Sequence, residues 1–505
     1  MKLNKLLTSA VCVASMFACQ KDDDHAIDLP INTEVNFQYK TTINVGGEGA
    51  SEISAFDAIT KKLYTVNVES NLISVNDISS LDSPITETAI DLSSFGAPNS
   101  VAIYDGKLAV AVEADPKQNP GKILVYNTSD NTLINQYVVG ALPDMVTFSK
   151  DGKLIISANE GEPNDDYTID PLGTISIIDL SDDSVTTLDF TAFNSQEATL
   201  KTQGFRVFGP GATLAQDVEP EYVAVSEDSN TAWVSLQENN GIAKVNLTSK
   251  TIEAIYPLGY KDYNVVGNEI DASDKDGVME LKNWPVLGMY QPDAITTANI
   301  GGTEYIFSAN EGDSRDYDGF SEEERVEDLI LDETAYPLAN DYQNEINLGR
   351  LKTTSTLGDT DGDGDVDQIY SYGARSFSVW SGSGSLLYDS GNSIATETLN
   401  ETPDRFNDED GRSDDKGAEP EAVEILNINN ERYILFVGLE RNDQVMVYDV
   451  TTPTAPTFMT ILSHTGDEAP EGLLVIPAED SPNGKDLLVV SNEDSGTVSF
   501  YENIQ

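Results

Sequence analysis

Tyr222-Val-Ala-Val-Ser226, Thr231-Ala-Trp-Val-Ser-Leu236, Gly241-Ile-Ala-Lys-Val-Asn246 and Thr251-Ile-Glu-Ala-Ile-Tyr256 follow one another with only short polar breaks between them. Each run is rich in β-branched, aromatic and small apolar residues and is bounded by Gly, Asn, Asp or Ser, which is the pattern of antiparallel strands joined by tight turns. Four strands in about forty residues make one meander. The stretches beginning near Val101, Val146, Val423 and Leu473 repeat its first three strands. Repetition at a period of this size marks a repeat architecture, and four antiparallel strands per unit point to a β-propeller.

Two polar series run through the repeat. One reads Ser51-Glu52, Pro98-Asn99, Pro143-Asp144, Pro220-Glu221, Pro292-Asp293, Pro420-Glu421 and Pro470-Glu471. The other stands at the end of an apolar strand and reads Glu69, Glu113, Glu160, Glu238, Glu311, Glu440 and Glu493. Seven recurrences predict an all-β, seven-bladed β-propeller over residues 34–505. Val35 to Ile43 is expected to supply the outer strand that the last blade, ending with Gly496–Tyr501, lacks. Such a clasp closes the ring and removes an exposed strand edge. The spacing between successive Pro-acid pairs lengthens where insertions are expected, at about 190–216, 261–289, 312–373 and 392–416. Insertions in such a scaffold project from one face and build its binding surface.

The chain has 505 residues, with 29 basic against 87 acidic side chains and a formal net charge of −58. That balance repels nucleic acid and anionic lipid and attracts cations, so nucleic-acid binding is excluded as a function class. Residues 1–18 read as a signal peptide: Lys2 and Lys5 precede the apolar run Leu6–Ala18, which is too short to span a bilayer. Met16-Phe17-Ala18-Cys19 resembles a lipobox, making Cys19 the expected lipidation site and residues 19–33 an acidic tether. Gln20-Lys-Asp-Asp-Asp24 resembles an export signal to the outer cell surface. The expected location is therefore the outer membrane, as a surface-exposed lipoprotein whose only membrane contact is its N-terminal lipid. Cys12 leaves with the signal, so no thiol remains for disulfides or metal sites. A monomer is expected.

The sharpest local motif is Asp359-Thr-Asp361-Gly-Asp363-Gly-Asp365-Val-Asp367. Oxygen-bearing residues at alternate positions, with Gly at position six and an apolar residue at position eight, suit Ca²⁺, which takes six to eight hard oxygen ligands. Position twelve is Tyr370 and no helix is expected beside it, so this is a calcium loop of β proteins rather than an EF-hand. Calcium is the expected cofactor here. Glu160, Glu238, Glu311, Glu440 and Glu493 occupy equivalent positions and should converge at one channel mouth as further metal candidates. Carboxylates crowded in a pocket either bind a cation or rise in pKa.

Only His25 and His464 are present, so a Ser-His-Asp triad and a His-ligated zinc site are excluded. Any catalysis would run on carboxylates, Arg, Lys, Tyr and metal-bound water. Arg206, Arg315, Arg375 and Arg441 stand beside the conspicuous segments, either as counter-ions to the acids or as phosphate clamps.

With these segments on the page, the chain resembles the choice-of-anchor I family of secreted bacterial propellers. The resemblance rests on Ser157-Ala-Asn-Glu-Gly-Glu-Pro, Gln203 to Gly211, Asp217-Val-Glu-Pro-Glu221, Tyr290 to Ala294, Ser308 to Arg315, Gly358 to Asp367, Tyr372 to Ser378, Ala418 to Ala422 and Ala469 to Gly472. It extends from about Gly46 to Tyr501. It implies a surface-anchored propeller, with relatives that include mesenchyme-specific cell-surface glycoproteins associated with calcium mineral. Some bacterial relatives are labelled alkaline phosphatases, and the acidic mouth is similar in kind to that of β-propeller phytases. Two functions follow as expectations. One is a calcium-binding propeller whose acidic face takes a cation or a phosphorylated or glycan surface ligand. The other is a calcium-dependent phosphoesterase in which Glu160 and Glu311 hold metal and Arg315 or Arg375 steadies the phosphoryl group.

Overall fold

The computed structural model describes residues 33–505. The signal peptide, Cys19 and most of the tether lie outside the described residues. Seven antiparallel sheets follow one another along the described chain, six of them four-stranded. In the first sheet, Ser54–Asp57, Lys62–Asn67 and Leu72–Asp77, the outer strand is split into two short pieces that both pair with Leu72–Asp77. The second sheet spans 98–141, the third 143–189, the fourth 223–257, the fifth 295–389 and the sixth 420–462.

The seventh sheet is composite. Its order is Phe37–Asn44, Thr497–Asn503, Leu487–Asn492, Pro470–Ile476, so the N-terminal strand is the outer one, as expected. Phe37 pairs with Asn503 and Asn44 with Thr497 in antiparallel register.

Seven apolar clusters lie between neighbouring sheets. Tyr64 and Val66 of the first sheet meet Val101 and Leu108 of the second, and Ile306 and Trp380 of the fifth meet Trp233 and Ile242 of the fourth. The last cluster joins Val489 and Phe500 of the seventh sheet to Leu63 of the first. Each sheet is therefore buried on both faces, which is why its strands read as near-continuous apolar runs rather than strict alternation. The first strands pack on one another in the same cyclic order and line a central cavity of about 730 Å³. This is the arrangement of a β-propeller.

Longer segments separate several of these strands. Residues 191–217 carry short helical turns, and Ser393–Glu401 is an α-helix. The insertions at 261–289 and 312–373 combine in one further sheet, ordered Tyr260–Asp262, Val286–Met289, Ile369–Ser371, Lys352–Thr354, Glu323–Arg325. That sheet covers its own core of Tyr263, Val286, Val326, Leu348 and Ile369. Among the described residues no helix is long and apolar enough to cross a membrane.

Ring closure rests on the clasp. Phe37 is 3% exposed and sits edge-on against Phe436, ring centroids 5.0 Å apart, inside the cluster shared by the sixth and seventh sheets. Phe37→Ala should lower stability by about 3–5 kcal/mol, the range for a truncated buried aromatic. Urea unfolding checks this, and a loss below 1 kcal/mol would mean the ring closes without the clasp.

Candidate functional site

The two polar series meet because they occupy the same end of the same hairpins. In four sheets the first strand starts at the Pro of its pair, where a missing N–H costs nothing in the ladder: Pro98, Pro143, Pro420 and Pro470. Each faces the end of the second strand, and the register then shifts, before Ser100, Val146, Val423 and Gly472 respectively. A bulge of this kind re-aims a side chain. Here the bulged residue is the acid, or Asn99 in the second sheet.

A hydrogen bond locks this arrangement. The amide of the strand-end glutamate donates to the carbonyl of the residue before the proline: Glu113 to Ala97, Glu160 to Leu142, Glu440 to Glu419 and Glu493 to Ala469, at 2.8–3.0 Å. The accepting residues Leu142, Glu419 and Ala469 have φ of +47°, +50° and +57°, conformations that a side chain resists. Strain repeated at one edge is a mark of a functional rim.

The Ser-Ala-Asn-Glu-Gly segments show a second device. Asn159 donates to the hydroxyls of Thr174 and Ser176, at 3.2 and 3.0 Å, and Asn310 to those of Ser376 and Ser378, at 3.1 and 2.8 Å. Each buried Asn ties the end of its strand to the next strand, so the glutamate that follows leaves in a defined direction. The glycine after it turns the chain with φ of +74° (Gly161) or +92° (Gly312), and a Cβ on Gly312 would lie 2.1 Å from the Gly373 nitrogen.

The two series lie within electrostatic reach of one another: Glu160 acts with Asp144, Glu238 with Glu221, Glu311 and Glu440 with Glu421, Glu493 with Glu52 and Glu471, and Asp293 with Glu471. Two tight groups form there. One oxygen each from Glu160, Glu221 and Glu238 lie within 4.8 Å of one another, and so do oxygens of Glu311, Glu419 and Glu440. Glu221 and Glu419 were absent from the metal candidates read in the sequence, although the repeated Glu-Pro-Glu at 219–221 and 419–421 carries the signal.

Burial and mutual repulsion raise the carboxyls. Burial pushes Glu52 up to about 8, with Glu493 and Asp144 adding to it. Burial and Glu113 bring Asp144 to about 6, and burial and Glu419 bring Glu440 to about 7. Glu160, Glu221, Asp293, Glu421 and Glu471 are held well above the usual range, by burial first and then by neighbouring carboxylates.

The arginines are spent elsewhere. Arg315 is 2% exposed and gives Nη1 to Asp217 at 2.8 Å and Nη2 to Glu219 at 2.9 Å. Arg206 pairs with buried Glu322 and donates to the Glu238 carbonyl at 2.9 Å. The two guanidinium groups stack with the Phe208 ring, 4.0 Å (Arg206) and 4.5 Å (Arg315) from its centroid. Arg375 donates to the carbonyls of Asp271, Ser413 and Asp415. Arg315 and Arg375 therefore brace the insertions and turn no terminal nitrogen toward a ligand. Arg441 pairs with Glu440 at 2.9 Å.

The aspartate loop splits in two. Asp359, Asp361 and Asp367 form one oxygen triad, while Asp365 joins Asp367 and Asp332 in a second. Asp332 comes from a segment that the loop meets through a parallel bridge, Leu331 to Val366. The Asp359 carboxylate accepts the amides of Gly362 and Gly364, and Asp367 accepts the amide and hydroxyl of Thr360. Asp361 is raised chiefly by Asp363, and Asp365 reaches about 6 by desolvation with Asp363 next. The loop leads directly into Ile369–Ser371, the central strand of the insertion sheet.

The mouth makes stability depend on pH with a definite sign. Carboxyls that stay protonated when folded, but ionise near pH 4.3 when unfolded, leave the unfolded chain with fewer protons between those values. Stability in chelator should therefore fall as pH rises from 5 to 8, through the values of Asp144, Glu440 and Glu52. Calcium should flatten the fall. Thermal melts at stepped pH check this, and a flat or rising profile in chelator would mean the mouth carboxylates ionise freely.

The chain is 32% identical to Gigasin-3a of Magallana gigas over 32% of this chain and 66% of that protein. It thus spans just under two thirds of the length of that relative. Among solved structures, hydrazine synthase of Kuenenia stuttgartiensis superposes with a TM-score of 0.49 at 11% identity, over 90% of this chain and 96% of that one. The Cps50 (Swd1) β-propeller domain of Myceliophteria thermophila gives 0.46 at 6% identity, over 92% and 99%. The sequence profile of the choice-of-anchor I domain matches residues 52–453, from the first mouth carboxylate to the turn before the last strand of the sixth sheet. The chain belongs to the choice-of-anchor I family.

Proposed function

We propose that the protein is a lipid-anchored, surface-exposed calcium-binding propeller of seven blades, one per sheet, that presents its acidic channel mouth to cations and surface ligands. The observation that carries this reading is the pair of carboxylate triads, each joining the strand-end glutamate of one sheet to two glutamates of the next. Water alone does not compensate so many buried acids; a bound divalent cation does. Calcium fits the all-oxygen donor set there and in the 359–367 loop, where it would pin the insertion sheet. Cys19 would carry the lipid that holds the body at the outer surface, as a monomer. A phosphorylated or glycan ligand would complete the coordination of a mouth ion. The phosphoesterase alternative draws no support from Arg315 and Arg375, whose terminal nitrogens are engaged within the fold.

Calcium titration tests the two sites separately. Asp361→Ala with Asp363→Ala should lower the melting temperature in calcium, by several degrees, and leave it unchanged in chelator. The same double variant should still bind calcium through the mouth; complete loss of calorimetric binding would overturn the mouth reading. Calcium-dependent phosphate release from phosphomonoesters would move the assignment to the esterase. Cys19→Ala should abolish incorporation of labelled fatty acid, and undiminished labelling would remove the lipid anchor.

A further inference from the structure

The two triads at the mouth are built alike but filled differently. Each takes the strand-end glutamate of one sheet, Glu160 or Glu311, and two glutamates of the next, Glu221 with Glu238 or Glu419 with Glu440. Around Glu311, Glu419 and Glu440 three cations are already in place. Lys416 Nζ bonds Glu311 and lies 3.3 Å from Glu419 Oε2 and 4.0 Å from Asp313 Oδ1. Arg412 reaches Glu419 at 2.7 Å, and Arg441 reaches Glu440 at 2.9 Å and Glu419 at 3.4 Å. The Lys416 ammonium, 14% exposed, thus sits where the twin triad would hold a metal ion.

Among the described residues no cation pairs with Glu160, Glu221 or Glu238. The nearest candidates are committed: Lys117 to Glu162, and Arg315 to Asp217 and Glu219. Glu221 and Glu238 are 7% and 4% exposed, and an Oε2 of each is buried without a hydrogen-bond partner. Buried carboxylate oxygens are ordinarily satisfied, so two unpartnered ones in a single triad point to a cation as their partner. Any two oxygens bound to one Ca²⁺ at about 2.4 Å are separated by no more than about 4.8 Å, and all three pairs here meet that limit.

We infer that the mouth holds one hard divalent cation, at Glu160, Glu221 and Glu238, and that Lys416 is a tethered cation that keeps the twin triad closed to a second. This rests on the cation-binding reading of the mouth and sharpens it to an address and a number. A compact ammonium supplies positive charge without open coordination positions, so the rim has a single place where an anionic ligand can meet a metal. Glu160 lines the channel, which puts that place on the channel wall.

The test counts ions on the full-length chain in detergent by equilibrium dialysis with Ca²⁺, in an Asp361→Ala, Asp367→Ala background that takes a ligand from both triads of the aspartate loop. The expected count is one. Glu221→Gln should lose it or weaken it at least about tenfold, Glu311→Gln should leave it unchanged, and Lys416→Met should raise the count to two. Melting in chelator reports whether each variant folds, and the Glu221 and Glu311 pair decides the matter if Lys416→Met does not. A count of zero in the background chain would fell the cation-binding reading itself. A count of one that survives Glu221→Gln, is lost in Glu311→Gln, or stays at one in folded Lys416→Met would overturn the inference while leaving that reading intact.

Discussion

A single hydrogen bond, repeated in four of the sheets, shapes the rim. The strand-end glutamate donates its amide to the carbonyl that precedes the proline, and the bulge that follows turns the next acid toward the channel. Backbone geometry, not side-chain attraction, therefore drives like charges together. Coulomb repulsion among buried carboxylates opposes the arrangement, and the cores between the sheets supply the stability that holds it. Ile156, Val234 and Leu435, with their neighbours, are fully buried in those cores. A ring of sheets packed on both faces gives such a rim no easy route to relax.

Much of the fold was legible because it is local and periodic. Four strands in forty residues, a Pro-acid pair and a strand-end glutamate are short-range signals, and each recurs often enough to stand above noise. The clasp could be inferred from a deficit, since the last unit ends one strand short. The fourth sheet shows the limit of reading by pattern: Tyr222 and Ser226 belong to the quoted run, yet only Val223–Val225 ladder as strand. The Tyr222 amide turns instead to the Ser235 hydroxyl.

The site was legible in its carboxylates and illegible in its counter-ions. Glu160, Glu238, Glu311, Glu440 and Glu493 announce themselves by equivalence of position. Lys416 and Arg412 do not, because each reaches the rim from an insertion whose path has no repeat to align with. Arg315, legible as a counter-ion or a clamp, gave no sign of which acids it answers. Arg315 meets Asp217 across 98 residues and Lys416 meets Glu311 across 105. Asp332 entered the aspartate loop by the same long-range route, through the Leu331–Val366 bridge. Acidic residues near an arginine in sequence suggest a clamp, but in the fold that arginine answers acids far along the chain.

Asymmetry is what the insertions add to a symmetric scaffold. The repeat alone would place equivalent carboxylates all around the rim, an acidic collar with no preferred point. The 203–217 segment instead withdraws Glu219 into a pair with Arg315 and fastens Arg206 to the Glu238 carbonyl, leaving Glu221 and Glu238 facing Glu160. The 392–416 segment does the opposite on the far side, delivering Lys416 and Arg412 to Glu311 and Glu419. Glu-Pro-Glu is the same tripeptide in both places, and its first glutamate is neutralised in both. Only at 419–421 does that first glutamate also share a triad, and there the triad is already full. Charge placed by insertions thus selects one address on a ring that would otherwise offer many.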